Sequence, residues 1–220
     1  MVNSTTPKEA PRCPSLVDTA SMIEALSSWA NAPNSSIESE RKSSGLLMCG
    51  LKDMASKITK SLLIFRSMTE IEQLETDQAM MRKALDEAMR AFEAGEVPVG
   101  AIVVAGGRVI ARAHNLTERL NDVTAHAEMQ AITAAAHYLG GKYLKGCTLY
   151  VTLEPCMMCA GALAWAQIDR VVYGASDPGR GGLSQPGALH PKTQLTSGVL
   201  GDSCAELMQN FFAQRRKKTS

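Results

Sequence analysis

The chain has 220 residues, 45% of them hydrophobic and 20% charged, enough for one domain of ordinary size with a real core. A formal charge of +1 excludes binding to nucleic acid through global charge alone, so any such contact must come from local clustering. No apolar run approaches the roughly 20 residues of a membrane span, and Leu62-Leu63-Ile64-Phe65 is far too short, so no membrane is expected among the partners.

The first 67 residues differ from the rest. They hold eight basic and six acidic residues, and Ser, Thr, Asn and Pro are scattered through them without period. Their Ser content suits a targeting peptide, but Glu9, Asp18, Glu24, Glu38, Glu40 and Asp53 are too many acids for one. Residues 1–67 are therefore expected to be a disordered extension or a mis-assigned start, with the working domain at 68–220. The six cysteines are spread over the length, and nothing ahead of them reads as a secretory leader. Cys13, Cys49, Cys147 and Cys204 are expected to be free thiols in a reducing compartment, and the protein to be cytoplasmic.

From Thr76-Asp77 a helix is expected, with Met81, Leu85, Ala88, Met89 and Phe92 on its inner face and Gly95 as its stop. Ala101-Ile102-Val103-Val104 reads as a buried strand, Gly106-Gly107 as a hairpin turn, and Val109-Ile110-Ala111 as the returning strand. A polar loop from His114-Asn115 to Asp122 leads to a helix from Ala125 to Tyr138, with Met129, Ile132 and Ala136 inward. Further expected elements are a strand at 148–153, a helix from Cys156 to Ile168 and a strand at 170–174. Strand, helix and strand at this spacing imply a right-handed parallel crossover. The segment from Ser176 to Gly198, rich in Gly and Pro, is expected to be loop and a wall of the pocket, followed by a helix capped by Asp202. The order gives a mixed sheet with helices on both faces.

Two fragments carry the chemistry: Thr124-Ala125-His126-Ala127-Glu128 and Thr152-Leu153-Glu154-Pro155-Cys156-Met157-Met158-Cys159. Thiols at i and i+3 of a first helical turn point to the same side, and a helix N-terminus stabilises negative sulfur. One imidazole nitrogen and two sulfurs suit Zn²⁺, and three protein ligands leave a fourth position for water, as a catalytic site requires. Bound water becomes a nucleophile near neutral pH, and Glu128 is placed to take and return its proton. A lone Cys-x-x-Cys would equally suit a structural or redox site; His126, Glu128 and Pro155 favour the catalytic reading. His137 shares a helix face with His126 but lies about three turns along, some 16 Å, so a surface or packing role is expected of it. The backbone amides of Ala127 and Cys156 are candidates to orient the attacking oxygen.

These motifs resemble those of the bacterial tRNA-specific adenosine deaminases, members of the cytidine/deoxycytidylate deaminase superfamily, which convert adenosine at the anticodon wobble position to inosine. The resemblance covers about residues 78–218. It rests on Glu96-Val97-Pro98-Val99-Gly100-Ala101, on Asn115 eleven residues before His126, and on Thr124 to Met129 and Leu149 to Ala162. Gly174-Ala175-Ser176-Asp177 and Phe211-Phe212 with Arg215-Arg216 complete it.

The resemblance implies a three-layer α/β/α cytidine-deaminase-like fold with a mixed five-stranded sheet, one Zn²⁺ per subunit on His126, Cys156 and Cys159, and Glu128 as proton shuttle. It implies attack of zinc-bound hydroxide on C6, a tRNA anticodon stem-loop as partner, and a homodimer. By the same resemblance, Asn115 would hydrogen-bond the flipped adenine, Asp177 would meet a ribose hydroxyl, and Phe211, Phe212, Arg215 and Arg216 would pack against RNA; Ala127, through its amide, is counted with these substrate-binding residues. The chain departs from the family in having Val123 for a usual proline and Ser176 for a common arginine. The rival reading is a deaminase of free guanine or cytosine.

Overall fold

The computed structural model describes residues 68–183 and 185–219, so the expectations for residues 1–67 lie outside it. The first described helix, α1, spans 68–93. It thus begins ahead of Thr76-Asp77, and Asp77 is an interior residue of the helix instead of a cap. Its carboxylate is buried and accepts from Gln73 Nε2 at 3.0 Å, Tyr150 Oη at 2.9 Å and both guanidinium nitrogens of Arg170 at 2.8 and 2.6 Å. A buried carboxylate is stable there because it is paired in a fork and fully hydrogen-bonded. The inner face of α1 is Met81, Ala84, Ala88 and Ala91, while Met89 is 44% exposed. Small residues win because Gly100 meets the helix backbone to backbone: a Cβ there would lie 2.1 Å from the Ala84 carbonyl oxygen. Gly95, at φ 78°, ends the helical segment as expected.

The five strands are β1 (Gly100–Ala105), β2 (Arg108–His114), β3 (Cys147–Leu153), β4 (Arg170–Ala175) and β5 (Gln194–Thr196), in the order β2-β1-β3-β4-β5. β1 runs antiparallel to β2 and β3, whereas β3, β4 and β5 are parallel. Gly106 and Gly107, at φ 54° and 74°, form a two-residue turn that needs positive φ at both positions. β5 lies inside the segment expected to be loop. Three residues with little apolar character give no strand signal, and the strand forms because β4 offers it a free edge, with Gln194 N–H donating to Asp169 C=O at 2.8 Å.

Three further described helices are α2 (Ala127–Leu139), α3 (Met157–Ala166) and α4 (Gly201–Thr219). α2 and α3 cover one face of the sheet, packing Ala127, Ala131, Ala135 and Leu163 on Ala101, Val103, Leu149 and Val171. The buried stripe of α2 is thus alanine, with Ile132 and Ala136 at its border, because the helix lies close to the sheet. α1 and α4 cover the other face, packing Met81, Ala84 and Cys204 on Ile102, Val104, Tyr150 and Val172. Strands buried on both faces explain the unbroken apolar runs of β1 and β4. The result is the three-layer α/β/α arrangement with a mixed five-stranded sheet that the resemblance implied. Among the described residues no helix is long and apolar enough to cross a membrane.

Burial raises the Asp77 carboxyl, but its hydrogen bonds with Arg170, Tyr150 and Gln73 outweigh this and hold it below the usual range. A lowered folded-state pKa contributes stability above the unfolded value, about 3.9, that is lost as pH falls through the folded one. Asp77→Asn, which strands the Arg170 charge, is expected to cost about 3–5 kcal/mol at pH 7 and much less at pH 3. Urea denaturation at the two pH values checks this, and an equal loss at both would refute it.

Candidate active site

Parallel β3 and β4 both end at the same edge of the sheet, and the site lies just beyond their carboxyl ends, where α2 and α3 begin. Such crevices are the usual ligand sites of α/β sheets. His126 is the N-cap of α2 and Cys156 the N-cap of α3, both with extended backbone (φ −69° and −70°) and neither side chain capping its own helix. N-caps are normally Ser, Thr, Asp or Asn, which bond back to the helix. Here the two side chains turn toward each other. His126 Nδ1 lies 3.6 Å from Cys156 Sγ and 3.5 Å from Cys159 Sγ, and the three donor atoms form a group that could hold a metal ion. Burial lowers the His126 pKa, and the positive charge of Arg180 lowers it further, which favours the neutral imidazole a metal needs.

Glu128 occupies the first turn of α2 and is buried. Burial pushes its pKa up, only partly offset by its own backbone amide and Cys159. Asn115, buried at the end of β2, accepts the Ala127 amide hydrogen on Oδ1 at 2.8 Å. That bond satisfies one of the amides that every helix start leaves without a partner. It occupies the Ala127 amide and fixes the orientation of the Asn115 side chain, leaving the NH₂ end as a donor. Asn115, His126, Glu128 and Cys156 all line one cavity of about 920 Å³.

Two loops wall this cavity. The first follows Asn115 and is held by Glu96, a buried carboxylate that accepts from Thr117 Oγ1 (3.0 Å), Glu118 N (3.0 Å) and Arg119 N (2.8 Å). The second follows β4. Glu154 accepts Asp177 N–H at 3.2 Å, and Asp177 Oδ1 accepts the amides of Gly179 and Arg180 at 3.0 and 3.1 Å. Gly181 bridges Cys156, and Gly182 N–H donates to Pro155 C=O at 2.9 Å. A Cβ on Gly182 would meet Met157 N at 2.6 Å, so the loop lies flush on the cysteine segment.

Of the other residues singled out in the sequence, Asp177 and Phe212 line the cavity. Phe211 is buried edge-to-face on Phe92 with ring centroids 5.7 Å apart, since neighbours on a helix point about 100° apart and only one can face the cavity. Arg215 lies over the Phe211 ring at 5.2 Å and donates to the Gly95 carbonyl at 2.6 Å, which fastens α4 to the end of α1. Arg216 is exposed on the same helix, and His137 is exposed on α2. Sequence reasoning passed over the structural work of Glu96 and Glu154, and over Arg180, Met208 and Gln209 on the cavity wall. An acid in an apolar Glu-Val-Pro-Val stretch was the available signal for Glu96; the others lie in segments whose folding depends on distant partners.

A family model described as MafB19-like deaminase matches residues 75–216. The tRNA-specific adenosine deaminase of Bacillus subtilis (strain 168) is 46% identical over 149 residues, covering 64% of this chain and 92% of the relative. A solved structure from a study of A-to-I editing by tRNA:A34 deaminases at the wobble position is 48% identical, with a TM-score of 0.55, covering 58% of this chain and 96% of that one. The guanine deaminase of Nitrosomonas europaea is 25% identical, with a TM-score of 0.57, covering 62% and 84%.

Burial raises the Glu96 carboxyl, but the amides of Arg119 and Glu118 and the Thr117 hydroxyl bring its pKa below the usual range, so it accepts as a carboxylate. Glu96→Gln turns an NH₂ donor toward these donors. It is expected to cost about 1–3 kcal/mol of stability and to speed hydrogen exchange at the amides of residues 118 and 119. Unchanged exchange there would show that Glu96 does not hold the loop.

Proposed function

The chain belongs to this deaminase family, and on that premise we propose that it converts adenosine to inosine at wobble position 34 of tRNA, consuming water and releasing ammonia. The observation that supports it best is the grouping of His126, Cys156 and Cys159, with His126, Cys156 and the buried carboxylate Glu128 lining one cavity. The donor set fits zinc: Zn–N near 2.0–2.1 Å and Zn–S near 2.3 Å at tetrahedral angles require N···S separations of about 3.6 Å. The separations are 3.5 and 3.6 Å. When bound, zinc lowers the pKa of a water molecule enough to supply a nucleophile near neutral pH.

The chain's own residues do the rest. Glu128, held close to the ligands by the first turn of α2, takes the proton of the attacking water, delivers it to the ring nitrogen next to C6, and returns a proton to the departing amino group. A carboxyl whose pKa is raised by burial is suited to hold and release protons in this way. Asn115 offers its NH₂ to an acceptor on the base. On this reading Asp177 and Phe212, which line the cavity, would meet a ribose hydroxyl and stack on a base, and Arg215 and Arg216 of α4 would add positive charge for the RNA backbone.

A free-base deaminase is the second reading. The 25% identity with the guanine enzyme, against 46% and 48% with the tRNA enzymes, favours the RNA substrate. We also read the chain as a cytoplasmic homodimer. The exposed Met157, Met158 and Trp165 (84% exposed) on α3 form an apolar face next to the cysteine segment of the kind that a second copy covers.

An anticodon stem-loop with adenosine at position 34 is expected to yield inosine, with free guanine and cytosine untouched; the converse result would establish the free-base reading. Glu128→Ala is expected to retain one zinc per chain by elemental analysis and to lose turnover by at least about 10³-fold. Wild-type turnover in that variant would refute the mechanism. Trp165→Glu should halve the mass measured by light scattering, whereas an unchanged mass would argue against this face as the dimer contact.

A further inference from the structure

The cavity wall is unevenly charged. Glu118, Asp122, Glu128, Glu154 and Asp177 contribute five carboxylates, whereas Arg180 is the single Lys or Arg among the described lining residues. Two of the carboxylates are engaged by backbone, Glu154 by Asp177 N–H and Asp177 by the amides of Gly179 and Arg180, and Asp122 is bonded to Thr124. Among the described residues no carboxylate forms an ion pair with the Arg180 guanidinium. The side chain is exposed on a backbone that is fixed on both sides. Its own amide is held by Asp177, and the next two residues are locked to Pro155 and Cys156. Arg180 lines the same cavity as His126 and Glu128.

RNA brings a phosphodiester negative charge with every nucleotide, and an acidic cavity mouth repels it. A nucleotide admitted deeply enough to reach Glu128 must carry its flanking phosphates across this rim. We propose that Arg180 is a substrate-binding residue whose guanidinium takes the oxygens of a phosphodiester flanking the target nucleotide. Arginine suits the task because its planar fork matches phosphate geometry and stays charged. Ser176, which lines the same cavity, carries no charge to share this role. The inference rests on the proposed RNA substrate and adds the group that admits it.

The test compares Arg180→Ala, Arg180→Lys and the wild-type enzyme, zinc-loaded, on the adenosine-34 stem-loop, measuring Kd, KM and kcat over a series of salt concentrations. Arg180→Ala is expected to raise Kd and KM about tenfold with kcat within about twofold, and to reduce the slope of log K against log salt by about 0.7–1. Arg180→Lys should recover most of the affinity, and zinc content should not change. Stem-loops with a neutral methylphosphonate at one flanking linkage provide the second arm. At the contacted linkage the wild-type enzyme loses about tenfold, and Arg180→Ala loses nothing further.

An unchanged Kd and salt slope in Arg180→Ala, or a fall in kcat alone, overturns the inference, as does a full additional loss at every neutral linkage. If the wild-type enzyme binds the stem-loop with an Arg180-dependent slope but forms no inosine, the deamination reading fails and the phosphate contact stands. If it does not bind the stem-loop at all, both fail.

Discussion

The imidazole of His126 and the thiols of Cys156 and Cys159 meet because two helices begin side by side beyond one edge of the sheet, each with a ligand at its N-cap. That arrangement depends on close backbone approach. Ala127, Ala131 and Ala135 let α2 lie near the sheet, and Gly182 lets the following loop lie against Met157. Asn115 completes the junction by bonding the first free amide of α2. On the opposite face Gly100 accepts α1 in the same manner, so the strand leading into the hairpin is clamped from behind. Donor atoms a few tenths of an ångström from a required geometry need a rigid support of this kind.

Four buried or partly buried acids show how environment assigns different work to one functional group. Asp77 is paired in a fork with Arg170 and is stabilised as a carboxylate, tying α1 to β4 and, through Thr196, to β5. Glu96 receives two amides and a hydroxyl instead of a cation among the described residues, which makes it the anchor of a loop. Glu154 fastens the other loop through one amide. Glu128 is buried in the first turn of α2, and burial moves its pKa the other way, toward protonation. A proton carrier and a structural anchor are thus distinguished by their partners, not by residue type.

The cavity joins this chemistry to its substrate. His126, Cys156 and Glu128 line it, together with two anchored loops and the turn of α4 that presents Phe212. Phe211, next to it, is committed to the core with Phe92, and Arg215 fastens the same helix to the carbonyl of Gly95. The lining is therefore firmly supported, which favours a preformed pocket for an extruded nucleotide. A lining rich in carboxylates, with Arg180 the one guanidinium among its described residues, sets the demands on a polyanionic ligand.

The ligand set, the proton carrier, the hairpin and the parallel crossover were legible in the residues, because each depends on local chemistry: fixed spacing on a helical turn, paired glycines in a turn, unbroken apolar strands. The family's resemblance supplied the fifth strand, which short-range pattern alone does not show. Tertiary structure decided the rest. Asp77 reads as a cap until Arg170, 93 residues away, is seen to pair with it. Met89 reads as core until the backbone contact at Gly100 selects the alanine face instead. β5 exists only because β4 offers an edge, and Arg180 acquires a role only when its loop is laid against Pro155 and Cys156. Partners distant in sequence carry no periodic signal, so the residues that depend on them become legible only once the chain has folded.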